Sequence, residues 1–187
     1  MKVQFFCLLA LLASISTLFG EVRNGYERDI NGAYSSLRRL NSLMLASEHE
    51  LSLFQKIEIR SKIDQLVRHI LYYELTEQLL IKFKAISPQL YAAVDSVKSI
   101  TGEPVVVYVQ FVPSQNMPYH ALGTTNIAQC EGNEHVYHSE FGNNTVSVKI
   151  ASVNKALLLL AHEFGHVIYQ VPNFGNIHEV LLRELSE

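Results

Sequence analysis

From about residue 26 to residue 100 the apolar positions recur every three or four residues. Leu37, Leu40 and Met44 begin the pattern, Leu53, Ile57, Leu66, Ile70 and Leu71 continue it, and Leu75, Leu79, Leu80 and Phe83 complete it. Side chains so spaced share one face of a helix, so this half is predicted to be helical. Ser87-Pro88 breaks the run, because proline cannot continue a helix and disfavours helix in the residue before it. Gln89 to Ile100 reads as a further short helix, stopped by Thr101-Gly102.

The period changes at Pro104. Val105 to Val109 and Phe111 form a β-branched and aromatic run that predicts a buried strand. Residues 127–131 and 134–141 flank Gly132-Asn133, a hairpin signal. Beyond Gly142-Asn143-Asn144, Val146, Val148 and Ile150 alternate with Thr145, Ser147 and Lys149, the pattern of a half-buried strand. Ser152 is placed to cap a last helix from Val153 to about Val171, ended by Pro172. Leu157 to Leu160 make that helix apolar all round, hence central. The expected plan is α+β: a helical half (about 21–102), then a small, mainly antiparallel sheet and closing helices (about 103–187). No repeat, linker or low-complexity tract divides 21–187, which reads as one domain.

Composition narrows the function classes. The 187 residues are 48% apolar, too many for a disordered chain, and ample for a core. Lys and Arg number 15 against 18 Asp and Glu, with no basic run, which excludes a protein living on phosphate contacts to nucleic acid. Residues 1–20 read as a secretory signal peptide: Lys2, the apolar run Phe5 to Leu12, then small residues at Ser14, Ser16 and Gly20. That run is short for a membrane span, and no later segment qualifies, so no transmembrane helix is expected in the mature chain. A secreted or periplasmic protein is expected. Removing the leader takes away Cys7 and leaves Cys130 alone, so no internal disulfide is expected.

The chemistry concentrates in the last helix, at His162-Glu163-Phe164-Gly165-His166. Residues four apart stack on one helix face, so His162 and His166 offer two imidazoles to one ion. Zinc accepts such ligands tetrahedrally. Glu163, turned about 100° from His162, lies beside the ion and is placed to take a proton from an attacking water. The frequencies of His and Glu give roughly 0.03 chance matches to this pattern in the chain. The ordinary alternative, two solvated or packed histidines, sits poorly in the most apolar helix, where unpartnered polar groups are costly.

The segment Leu157 to Gln170, LLLLAHEFGHVIYQ, resembles the active-site helix of the zincin metallopeptidases. The resemblance covers roughly residues 90–187. It implies His162 and His166 as zinc ligands, Glu163 as general base, and a peptide or protein substrate extended along an edge strand above the helix. Metzincins carry a Gly and a third His where this chain has Tyr169 and Pro172, which leaves the gluzincin branch. That branch takes a Glu from a following helix about twenty residues on. A short helix expected after Asn176 offers Glu184 first, eighteen residues after His166, and His178 second, each about 60° from the centre of its inward face. The ordinary alternatives are an ion-paired helix-edge carboxylate and a partly exposed histidine. Tyr169 and His138 are candidates to steady the oxyanion, with His135 behind them. Cys130 reads as a small buried thiol, and His49 and His69 as surface or packing residues. The rival reading is a non-catalytic exported binding module that keeps a zincin-like core.

Overall fold

A computed structural model describes residues 20–47, 49–99, 101–118, 121–126 and 138–184, the side chains of 138 and 173–184 excepted. Along them run β1 (Glu21–Asn24), α1 (Ile30–Ala46), α2 (Leu53–Ile86), α3 (Pro88–Asp95) and β2 (Val106–Phe111). A 3-10 turn (Ser114–Asn116), β3 (Gly123–Asn126), β4 (His138–Ser139), β5 (Gly142–Asn143), β6 (Thr145–Ile150) and α4 (Ala156–Glu184) follow. The fold is α+β, with four helices and a four-stranded mixed sheet among the described residues.

The helical half follows the sequence pattern closely. Ser52 caps α2 in a reciprocal box: its hydroxyl accepts from the Gln55 amide, and the Gln55 side chain accepts from the Ser52 amide. The helix ends at Ile86, and Pro88 starts α3 at a position where its missing N–H costs nothing. Two differences stand out. α3 stops at Asp95 rather than near Ile100, and Lys98 bridges to Pro104 instead. The apolar positions of α2 also face two ways. Ile70, Leu79, Leu80 and Phe83 turn inward, whereas Leu53, Ile57 and Leu71 are exposed.

The sheet order is β1-β2-β6-β3. β1 runs parallel to β2 and β2 parallel to β6; only β3, at one edge, runs antiparallel. The sheet is therefore mostly parallel, not mainly antiparallel as the sequence suggested. One cause is β1, a four-residue strand too short to leave a periodic signal. It reaches β2 through the α1–α3 crossover, and helical crossovers join parallel strands. The other cause is that β6 pairs with β2 and not only with its nearer neighbour in sequence. The hairpin expected around Gly132-Asn133 lies outside the described residues, apart from its last part, where β4 pairs with β5.

The core forms between the inner face of the sheet and the helices. Val107, Val109, Val146, Val148 and Ile150 have no accessible surface, nor have Val94, Leu160, Phe164, Val167 and Val171. Phe164 meets the ring of Phe83 edge-on, with centroids 5.2 Å apart, which ties α4 to α2. The outer face of β6 is covered too, so this strand is buried rather than half-buried. Ser147 donates to Glu140 Oε1 at 2.9 Å, Ser139 and Thr145 share a hydrogen bond of 2.6 Å, and Phe141 stacks on Tyr108 at 4.2 Å. Among the described residues no helix is long and apolar enough to cross a membrane.

Candidate metal centre

The motif helix α4 begins at Ala156, three residues after the expected start, and packs between α3 and the β3–β6 side of the sheet. Its inward positions are Ala156, Leu160, Phe164, Val167 and Val171. That phase decides where each motif side chain goes. His162 is exposed and His166 half-buried, on the side of the helix turned from the core. Glu163 falls on the edge of the core face and is 5% exposed.

The two imidazoles converge. His162 Nε2 and His166 Nε2 stand 3.1 Å apart, their rings edge to face with centroids at 4.6 Å. Two nitrogens bound to one tetrahedral zinc at 2.0–2.1 Å stand about 3.3 Å apart, so the pair fits the ion closely. Gln170 Nε2 lies 3.1 Å from His166 Nδ1, one helical turn on. Turned over, the same amide would present its carbonyl oxygen, accept Nδ1–H and leave the imidazole Nε2 as the ligand atom, the usual outer support of a metal-binding histidine.

Glu163 meets the sheet at its antiparallel edge. Thr125 on β3 donates its hydroxyl to Glu163 Oε2 at 2.5 Å. Gly123, two residues earlier on the same face of β3, lies against the other carboxylate oxygen: a Cβ there would come within 2.7 Å of Oε1. β6 occupies one side of β3, and no strand among the described residues pairs with the other. Among the described residues, this strand edge beside the motif helix is unpaired.

The structure brings His162, Glu163 and His166 together with Thr125, Gly123 and Gln170, which the sequence reading did not single out. Gln170 was legible in principle, because it stands four residues from His166 on one helix. Thr125 was not, being 38 residues from Glu163 on a strand too short for a pattern. Tyr169 lies seven residues after His162, hence on the same helix face, and is 68% exposed. His138 opens β4, but its side chain lies outside the described residues, as do Cys130 and His135. His49 is exposed, and His69 packs edge-on against Tyr26 at 5.0 Å.

The expected third ligand is not among the described side chains. α4 does not end at Pro172 but continues through it to Glu184, with no second helix begun after Asn176. The side chains of His178 and Glu184 lie outside the described residues. A continuous helix carries residue 184 about 27 Å along the axis from residue 166. Either side chain reaches the histidine pair only where the helix breaks and turns back, and Pro172 is where one backbone hydrogen bond is already missing. Among the described residues no three His, Cys, Asp or Glu side chains gather as a full ligand set. No family model, curated protein or solved structure matches this chain.

Proposed function

We propose that the chain is an exported zinc-dependent metallopeptidase of gluzincin-like type. One observation carries the reading: two imidazole nitrogens converge to 3.1 Å beside a buried glutamate, on a helix that lies under a strand edge left unpaired among the described residues. His162 and His166 hold the metal, with Gln170 orienting His166. Bound there, zinc would supply Lewis acidity to the peptide carbonyl and to an attacking water. Glu163 would act as general base toward the water that adds to the carbonyl, and would return the proton to the amine as the carbon–nitrogen bond breaks. β3 offers backbone groups to an extended peptide. Glu184, or failing it His178, is the proposed third ligand, and Tyr169 or His138 the group that steadies the oxyanion. The apolar run at residues 5–12 supports export.

Glu163→Gln should keep stoichiometric zinc by elemental analysis and lower turnover of a mixed peptide library by about 10²–10⁴-fold. Retained turnover removes Glu163 from its role. Absence of zinc after incubation with the ion removes the site.

A second reading, the non-catalytic binding module, is favoured by the far end of the α1–α2 hairpin. Leu45, Leu53 and Phe54 are each at least three-quarters exposed there. Chelator-sensitive cleavage of the peptide library decides between them, because a remnant core can hold zinc without turning over.

A further inference from the structure

Glu163 is a carboxylate at the margin of an apolar helix face, between Leu160, Phe164 and Val167, which have no accessible surface. Such a group is stable only with hydrogen-bond partners. Among the described residues no cation pairs with it, and the Thr125 hydroxyl donates to its carboxylate. β3 controls both oxygens. Thr125 occupies Oε2, while Gly123, by having no side chain, leaves the space that Oε1 fills. Any larger residue at 123 pushes on Oε1 and turns the carboxylate about its flexible stem, away from Thr125.

We infer that Thr125 and Gly123 together are the positioning device for Glu163: Thr125 fixes the carboxylate by Oε2, and the glycine keeps Oε1 as the oxygen that takes the proton. The inference rests on the reading of Glu163 as general base. It assigns to the edge strand a task distinct from holding substrate, that of setting the base's rotamer. Oriented groups of this kind raise kcat without tightening substrate binding.

The test compares Thr125→Val, Thr125→Ser and Gly123→Ala in the full chain. In the zinc-loaded protein Thr125→Val should lower kcat at least tenfold, with KM within twofold and zinc content unchanged. Thr125→Ser, which restores a hydroxyl, should recover kcat to within about threefold. Gly123→Ala should lower kcat as Thr125→Val does. In the chelator-treated, metal-free protein, Thr125→Val should lower the melting temperature by about 3–6 °C and by less than 1 °C when Glu163 is already leucine.

Wild-type turnover with kcat unchanged in Thr125→Val overturns the inference and leaves the peptidase reading standing. So does the absence of coupling in the metal-free melts. No turnover by the zinc-loaded wild type overturns the peptidase reading first, and the positioning role with it, whatever the melts show. Should Thr125→Val fail to fold, Gly123→Ala, which displaces Oε1 and keeps the hydroxyl, carries the test.

Discussion

Thr76 shows how a single hydroxyl holds two elements together. It sits in the middle of α2 with no accessible surface, donates to the Tyr72 carbonyl at 2.7 Å, and accepts from the Phe111 amide at 3.0 Å. That amide ends β2, so the hydroxyl joins the long helix to the central sheet. Thr76→Val keeps the shape but strands a buried N–H. It should cost about 1–3 kcal/mol in denaturant unfolding, with Thr76→Ser much milder. Asn24 works similarly at the end of β1, donating to the Tyr73 carbonyl and to Glu77 Oε1. Glu163 differs from both, since its partner lies on the edge strand beside the proposed reacting atoms and not on a fixed core element.

At the scale of elements, periodicity found the helices but not their phase. α2 carries apolar residues on opposite sides, so spacing alone could not say that Leu53 and Ile57 face solvent while Leu79 and Phe83 face the sheet. Packing against β2 and α4 made that choice. In α4 the phase is set by Leu160, Phe164 and Val167, and it sends the histidines outward and Glu163 under β3. Pro172 was expected to end this helix, but proline removes one hydrogen bond and leaves the rest of the helix free to continue. If the third ligand comes from beyond Pro172, straightening the helix opposes metal binding. Pro172→Ala should then weaken zinc binding at least tenfold in competition with a chromophoric chelator. Unchanged affinity would place the third ligand before residue 172.

Over the whole molecule, buried hydroxyls and a depressed carboxyl set the pH range of stability. Burial, with Tyr72 nearby, pushes the Tyr26 hydroxyl up to about 12, and burial with Asp95 does the same to Tyr91. Above pH 10 the unfolded chain sheds these protons while the folded chain keeps them, so stability falls as pH rises from about 10 to 12. The melting temperature should be level from pH 7 to 9 and drop beyond 10, with a shallower drop in the Tyr26→Phe, Tyr91→Phe double variant. On the acid side Glu140 contributes with the opposite sign. Burial pushes its carboxyl up, but hydrogen bonds from Lys149 and Ser147 outweigh this and hold it below its ordinary value. Its contribution is present at neutral pH and lost as pH falls through the carboxylate range.

What the sequence determined by itself was local: the helices around Leu37 and Leu79, the break at Ser87-Pro88, the strand runs at Val106 and Val146, and two imidazoles four residues apart. Each rests on spacing within one element, where backbone geometry fixes which side chains are neighbours. What only the tertiary structure decided was non-local. It made the sheet mostly parallel, buried both faces of β6, and brought Thr125 and Gly123 to Glu163 from 38 and 40 residues away. Such pairings depend on how elements pack, and a four-residue strand such as β1 or β3 has no periodic signal to announce its neighbour. The histidine pair was legible in the sequence because it lies on one helix, and the partners of the neighbouring glutamate were not, because they come from a strand laid against that helix by the fold.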